Sequence, residues 1–177
     1  MDIRVSCVTD LDIPPDCAKD YLPNDRQTKK DFSPEQINEK REKKITRASG
    51  GTVKTFVSPQ WTMEYDVAST ECALDMHIAI TLAKLSSKSN FSNSEWFTAI
   101  ATAIKEYEEW VSNGKSVDEI ASLIYRPLFE KKASKVEASQ QLAMWFKVKL
   151  ATGQETGNSL RTKLPQYIVD AIDYVTR

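Results

Sequence analysis

The sequence predicts an α/β protein with a short parallel sheet and a helix-rich C-terminal half. Residues 3–9 (IRVSCVT) and 52–57 (TVKTFV) are short segments, rich in β-branched residues and followed by Asp or Ser-Pro, as is typical of strands. Over 40 residues that include a helix separate them, and a connection of that length suits a parallel crossover. Most of the remaining chain carries apolar residues at helical spacing.

About six helices are expected. The first begins with Ser33 as N-cap and Pro34 as its first residue. A long helix is predicted over residues 61–85, and the last begins at Pro165. Three others begin at a Ser followed three residues later by Glu, a pattern in which the two side chains satisfy two unpaired amides. These pairs are Ser92/Glu95, Ser116/Glu119 and Ser134/Glu137.

Two strands are too few to bury both faces of a sheet, so the sequence predicts an incomplete α/β domain. We expect residues 1–85 to form this partial domain, with a charged insert at about residues 17–51. Residues 86–177 are expected to form a helical portion packed on it. The strands that complete the sheet should precede Met1 or come from another chain.

Composition limits the possible functions. Lys and Arg (24) nearly balance Asp and Glu (25), so any DNA contact has to come from a local patch or through metal ions. Three cysteines without a C-x-x-C pair argue against a disulfide framework and a structural zinc site. The segment MDIRVSCVTD has no long apolar h-region behind a basic start, so secretion is not expected, and no segment reaches the roughly 18 apolar residues of a membrane span. We therefore expect a cytoplasmic protein without membrane association.

Acidic residues follow the first predicted strand. Asp10 and Asp12 are expected on one face of its tip, close enough to repel each other, so a positive group should lie between them. The loop after the second strand brings Ser58 and Glu64 to the same edge, where α/β sheets bind ligands. Hard oxygen donors without histidine favour Mg²⁺ or Mn²⁺. Pairs of such ions, about 4 Å apart, catalyse phosphodiester cleavage.

Lys135 is the candidate phosphate-binding residue. It lies in the first turn of the helix that Ser134 caps, where its charge adds to the partial positive charge of the helix N-terminus. With the carboxylates, it predicts metal-dependent phosphoryl transfer. Asp66 is expected on a helix surface and His77 as a packed residue. Aromatic residues of the C-terminal half are expected in the core: Trp96, Phe97, Tyr107, Trp110, Trp145 and Phe146.

Four segments in order resemble the C-terminal Toprim region of OLD-family (overcoming lysogenization defect) ATP-dependent endonucleases. They are VTDLDIP, VKTFVSPQWTMEYDVA, SKVEASQQLA and LPQYIVDAIDYV, and the resemblance extends from Val5 to Thr176. It implies a truncated Toprim-like parallel sheet and a nuclease that cuts DNA with two divalent ions. In that family an ATPase domain precedes the Toprim domain, and relatives tend to be homodimers.

The resemblance also implies roles for individual residues. Asp10 and Asp12 match the family's paired metal-binding aspartates, and Glu64 matches the acidic residue of its WTLEYD-like segment. Ser58 lies where the family can place another ligand, and Lys135 matches the lysine thought to stabilise the transition state.

The family's Toprim glutamate and a Walker motif have no counterpart in this sequence. The resemblance therefore implies a C-terminal part of such an enzyme that is weak or inactive alone, with ATP acting only through a domain absent from this chain. Its partners would be DNA and an ATPase/Toprim segment supplied by another chain.

Two other interpretations stay open. The chain is a non-catalytic interaction or regulatory fragment, or it is a piece of another Toprim phosphotransfer enzyme such as a primase or topoisomerase. The helical C-terminal half and the WTMEYD segment favour the nuclease over the second of these.

Overall fold

A computed structural model describes residues 3–86 and 92–176, in which helices predominate beside one two-stranded sheet. Two short 3-10 turns, Asp16–Tyr21 and Lys29–Asp31, lie in the charged insert. The strands and helices are, in chain order, β1 (Val5–Thr9), α1 (Pro34–Ala48), β2 (Val53–Val57), α2 (Met63–Ala68), α3 (Ala73–Ser86), α4 (Asn93–Ser112), α5 (Val117–Phe129), α6 (Lys135–Ala151), α7 (Gly157–Lys163) and α8 (Gln166–Thr176).

The chain divides into two compact units. The sheet unit comprises Met1–Asp66 and Leu164–Arg177, and the helical unit comprises Val67–Lys163. The C-terminal helix α8 thus belongs with the sheet, whereas the sequence placed it in a helical portion over residues 86–177. The predicted boundary near residue 85 falls inside the helical unit, since α3 is part of that unit.

The two strands pair in parallel, as the crossover length predicted. The register runs from Val5 opposite Val53 to Thr9 opposite Val57. Helix α8 packs on one face, where the Tyr174 ring lies 6.2 Å from the Phe56 ring and the Tyr174 hydroxyl donates to the Thr52 carbonyl at 2.9 Å. The last helix of the chain therefore covers and stabilises this face of the sheet.

The opposite face of the sheet forms the core of this unit. Val57 clusters there with Leu11 and Ile13, which are buried, and Ile37 and Ile45 of α1 pack against them. Helix α1 can do this because its start is fixed as predicted: Ser33 and Gln36 form a reciprocal capping box before Pro34. The burial of apolar side chains from both strand ends stabilises the loops that follow them.

The single helix predicted over residues 61–85 is wrong, because the structure has two helices there. Helices α2 and α3 are separated at residues 69–72. The Thr70 hydroxyl donates to the Val67 carbonyl at 2.8 Å and accepts from the Cys72 amide at 3.2 Å. A threonine side chain that bonds nearby main-chain groups in this way competes with the helix, which ends as a result.

Capping confirms the other helix starts. Ser92/Glu95 and Ser116/Glu119 form the predicted reciprocal boxes. Ser134 accepts from the Glu137 amide, while the Glu137 carboxylate accepts from Gln141. Helix α7, which the sequence did not predict, precedes α8.

The helical unit has a core of Ile78 and Leu82 from α3 with Ala99 and Ala103 from α4. Trp96 and Trp145 pack against it, but Phe97 is 65% exposed, so its expected core position is wrong. His77 is buried as expected, with its Nε2 atom 2.9 Å from a Glu106 oxygen. In the described ranges, no helix combines the length and apolar character needed to cross a membrane.

Candidate functional site

Asp10 joins the end of β1 to the start of α2. Its Oδ1 atom accepts a hydrogen bond from the Met63 amide at 3.0 Å, so the carboxylate caps the helix. The amides of Leu11 and Asp12 both donate to the Trp61 carbonyl, at 3.0 and 3.2 Å. These bonds hold the loops after the two parallel strands beside each other.

Asp12 has a different partner. Its carboxylate pairs with Lys44 of α1, and its side chain is 62% exposed. Its backbone is left-handed, with φ at 64°, a conformation that Asp tolerates better than most residues. Because β1 ends at Thr9 and Asp12 is left-handed, the strand alternation that predicted a shared face does not extend to the two aspartates. Lys44 supplies a positive group to Asp12 alone, whereas Asp10 is bonded to the Met63 amide.

Ser58 and Asp66 form the buried centre of the site. The Ser58 hydroxyl donates to Asp66 Oδ2 at 2.6 Å, and the Trp61 amide donates to Asp66 Oδ1 at 3.2 Å. Asp66 is 2% exposed, so its expected position on a helix surface is wrong. Burial raises the pKa of the Asp66 carboxyl to about 6, although the hydrogen bonds from Ser58 and Trp61 favour its charged form.

Tyr167 of α8 brings a hydroxyl to these carboxylates. Its Oη atom is buried and makes no hydrogen bond of good geometry within the described residues. Burial, followed by the charges of Asp66, Asp10 and Glu64, raises the Tyr167 pKa well above its ordinary value. One hydroxyl therefore lies within the electrostatic reach of three carboxylates. Glu64 is itself largely buried.

The chemistry of this donor set fits a divalent cation. Carboxylate and hydroxyl oxygens are the ligands that Mg²⁺ and Mn²⁺ prefer. Within residues 3–86 and 92–176, however, no three Asp, Glu, His or Cys side chains are gathered closely enough to hold an ion. The oxygen atoms are of the type that a divalent cation prefers, but in the described residues they do not surround a common metal position.

Lys135 belongs to the helical unit, while Asp10, Asp12, Ser58 and Glu64 all belong to the sheet unit. It is the first residue of α6, and its Nζ atom lies 5.4 Å from the centre of the Tyr125 ring. Lys135 lines a cavity of about 680 Å³ together with Lys131 and Lys132. Apolar residues such as Leu128 and Phe129 also line this cavity, as does the acidic Glu137.

The sequence pattern missed two members of the site. Asp66 could have been suspected because it lies two residues after Glu64 in a short helix, close to Ser58. Tyr167 gave no such signal, because about 100 residues separate it from the carboxylates and a tyrosine in an apolar helix normally belongs to a core.

No family model, curated protein or solved structure matches the chain.

Proposed function

We propose that the chain is the C-terminal part of a Toprim-like, metal-dependent DNA endonuclease of the OLD-family type. The observation that carries the proposal is that carboxylates join the loops after two parallel strands: Asp10 accepts from the Met63 amide of α2, and Asp66 of the same helix accepts from Ser58. Ligands of open α/β sheets bind at such ends, and carboxylate oxygens there are donors of the type that divalent cations prefer.

Asp10, Asp12 and Glu64 would hold the metal, which is Mg²⁺ or Mn²⁺, with two ions in the complete site. When bound, such ions supply positive charge to a phosphodiester and lower the pKa of bound water. Asp12 is paired with Lys44, so this ammonium group would compete with a metal ion for the Asp12 carboxylate. Ser58 acts through Asp66, since its hydroxyl is already bonded to that carboxylate.

Lys135 would stabilise the negative charge on the phosphoryl oxygens. Its place at the start of α6 supports this role, because the ammonium charge and the helix N-terminus both attract a phosphate. DNA is the proposed substrate. We expect slow or no cleavage by this chain alone, because its sequence has no counterpart of the family's Toprim glutamate; an ATPase/Toprim segment of another chain is the proposed partner.

Metal binding is the first test. Mn²⁺ should raise the melting temperature of the protein, and isothermal titration should show at least a tenfold loss of Mn²⁺ affinity in Asp10→Asn and Glu64→Gln. Asp20→Asn, which changes an exposed aspartate of the same unit, is the matched control and should bind Mn²⁺ normally. Equal Mn²⁺ binding by Asp10→Asn and the unmodified protein would contradict the proposal.

Cleavage is the second test. Nicking of supercoiled plasmid with Mn²⁺ should be slow for this chain, should increase when the ATPase/Toprim segment is added, and should fall again in Lys135→Ala. Lys147→Ala, an exposed lysine of the same helix, is the control. Full-rate cutting by the chain alone would refute its dependence on another segment.

A non-catalytic interaction fragment is the second candidate, and the absence of a closed three-ligand group in the described ranges favours it. In that case Asp10 serves as a helix cap, and Asp12 with Lys44 is a surface ion pair. This candidate predicts no Mn²⁺-dependent change in melting temperature for any variant.

A further inference from the structure

Another cavity, of about 400 Å³, lies in the sheet unit beside Asp12. The residues that line it with Asp12 come from the charged insert, which includes α1: Pro23, Asp25, Arg26, Gln27, Phe32 and Lys40. Ligand cavities in proteins begin at about 300 Å³, so this one has room for a group of the size of one nucleotide. Its walls combine an aromatic ring with charged and amide groups, as is typical of small-molecule sites.

One wall of this cavity is a loop held in place by several hydrogen bonds. The Arg26 amide donates to the Pro23 carbonyl at 2.9 Å, which closes a turn. Lys19 Nζ donates to the carbonyls of Asn24 and Arg26, at 3.2 and 3.0 Å. The Arg26 guanidinium then donates to the Asp12 carbonyl at 3.1 Å. The wall is thus formed before a ligand binds, and it is joined to the loop that carries a candidate metal ligand.

Two cations in this cavity have no carboxylate partner within the described residues. The Arg26 guanidinium donates to a main-chain carbonyl, and the Lys40 Nζ atom lies 4.0 Å from the centre of the Phe32 ring. Neither contact neutralises a full positive charge, because a carbonyl and a ring carry only partial negative charge. A guanidinium presents its N–H donors in a planar fork that fits phosphate oxygens, and an ammonium adds a point charge. These two groups therefore suit a phosphate.

The negative charges in the cavity are fewer than the positive charges around it. Asp12 and Asp25 are its two acidic residues, and the Asp12 carboxylate is already paired with Lys44 of α1. Counting Lys44 with Arg26 and Lys40, three cations face two carboxylates, which gives a net charge of +1. This balance favours an anionic ligand.

Positive charge continues along one face of α1. Its members are spaced four and three residues apart, which places them on the same side of the helix: Lys40, Lys44 and Arg47. The glutamates of α1 have the same spacing from a different starting position, so they lie on another face: Glu35, Glu39 and Glu42. Charges of opposite sign are therefore separated on this helix, and its basic face leads away from the cavity.

We propose that the cavity binds one nucleotide of a single-stranded DNA segment, with the phosphate on Arg26 and Lys40. The rest of the strand follows the basic face of α1 towards Arg47. Phe32 and Pro23 supply apolar contacts to the base, since every base has a face that packs on such side chains. A single strand fits better than a duplex, because paired bases are stacked inside the duplex and do not enter a cavity.

This assignment rests on the proposed function, because it takes DNA as the ligand. The bond from Arg26 to the Asp12 carbonyl places the bound nucleotide next to a loop of the candidate site. In that arrangement the charged insert holds the strand beside the carboxylates. Arg26 and Lys40 bind the substrate and take no part in bond cleavage.

Binding of a short fluorescent oligothymidylate, measured by anisotropy in EDTA, tests the proposal. Arg26→Ala and Lys40→Ala should each weaken binding roughly tenfold, because each removes a charged hydrogen bond to phosphate. Each should also lower the slope of log affinity against log salt by about 0.7, the value for one phosphate contact with a single strand. Arg26→Lys, which keeps the charge, should keep this slope.

Lys43→Ala is the matched control, since this lysine of α1 is exposed and paired with Glu39 at the helix surface. It should bind the strand as the unmodified protein does. Asp25→Asn, which removes a negative charge from the cavity, should tighten binding. A duplex of the same length should bind more weakly than the single strand. Circular dichroism checks that each variant is folded.

Unchanged affinity and salt slope in Arg26→Ala and Lys40→Ala would overturn the inference, as would an equal loss in Lys43→Ala or no binding by the unmodified protein. Tighter binding of the duplex would overturn the single strand as the ligand. Because EDTA removes the metal and no cleavage is required, these outcomes are distinguishable from failure of the proposed nuclease function, which the Mn²⁺ titration and the nicking assay report.

Discussion

The Ser58 hydroxyl and the Asp66 carboxylate are joined by a hydrogen bond of 2.6 Å in which both partners are almost completely buried. The bond ties the loop after β2 to helix α2, which also carries Glu64. A carboxylate held in such surroundings is costly in its charged form, since burial removes water from it. The pKa of Asp66, raised to about 6, records this cost.

The pH dependence of the free energy of unfolding should report the protonation of Asp66. Its folded pKa of about 6 lies above the ordinary value of 3.8, so folding favours the protonated carboxyl. This contribution to stability is fully present below pH 3.8 and is lost as pH rises through 6. Relative to Asp66→Asn, the unmodified protein should lose roughly 2 to 3 kcal/mol between pH 4 and pH 7.

Urea unfolding of both proteins across that pH range measures the difference. Asp20→Asn, which changes an exposed carboxyl of the same unit, serves as the control. A constant difference between the unmodified protein and Asp66→Asn at all pH values would contradict the raised pKa.

Ser58→Ala should destabilise the protein by about 1.5 to 3 kcal/mol at pH 7, because it removes a hydrogen bond from a buried carboxylate that is mostly charged at that pH. The loss should be smaller at pH 5, where Asp66 is mostly protonated, and the Asp66 pKa should rise further. Chemical unfolding at the two pH values provides the measurement. Ser139→Ala, whose exposed hydroxyl bonds only a carbonyl of its own helix, should have little effect.

Lys44→Ala should change metal binding while leaving the free energy of unfolding almost unchanged. Its ion pair with Asp12 is largely exposed, so its loss should change the free energy of unfolding by less than about 1 kcal/mol. Removing this competing cation should, under the proposed function, strengthen Mn²⁺ binding, whereas Asp12→Ala should weaken it. Lys43→Ala, which breaks only a surface pair with Glu39, is the control. Weaker Mn²⁺ binding in Lys44→Ala would argue against Asp12 as a ligand.

Asp75→Ala should be among the most damaging substitutions in the helical unit. Its buried carboxylate accepts from Lys149 Nζ at 2.8 Å and from Trp145 Nε1 at 2.7 Å, so it joins α3 to α6. Truncation leaves the Lys149 charge and the indole N–H without this acceptor, at a cost of about 3 to 5 kcal/mol. Thermal and urea unfolding measure it, with Glu39→Ala as the exposed control; a loss below about 1 kcal/mol would show that the contact is dispensable.

Short sequence patterns predicted the helix starts, because the hydrogen bonds that stabilise a helix start join residues close together in the sequence. Ser33 with Pro34, and the Ser-x-x-Glu pairs, mark helix starts because the capping bonds are made within a few residues. The sequence did not predict the break at Thr70, because apolar residues keep their helical spacing across it. Only the hydrogen bond from the Thr70 hydroxyl to the main chain competes with the helix there. The parallel pairing followed from the long crossover, which excludes a tight hairpin.

The candidate site was predicted only in part for a related reason. Asp10, Ser58 and Glu64 follow strand ends, which topology brings together. Asp12 was misplaced because its left-handed backbone ends the strand alternation. Tyr167 and the burial of Asp66 depend on α8 returning to the sheet, a long-range contact that no local pattern encodes.

The turn formed by Ser49 and Gly50 has a consequence for the sheet. Its bonds to Val53 and Thr55 occupy main-chain groups that β2 directs away from β1, so the addition of a further strand is obstructed on that side. A fibril-like ribbon grows only when both outer strands of a sheet can accept a neighbour, and this turn blocks such growth at β2.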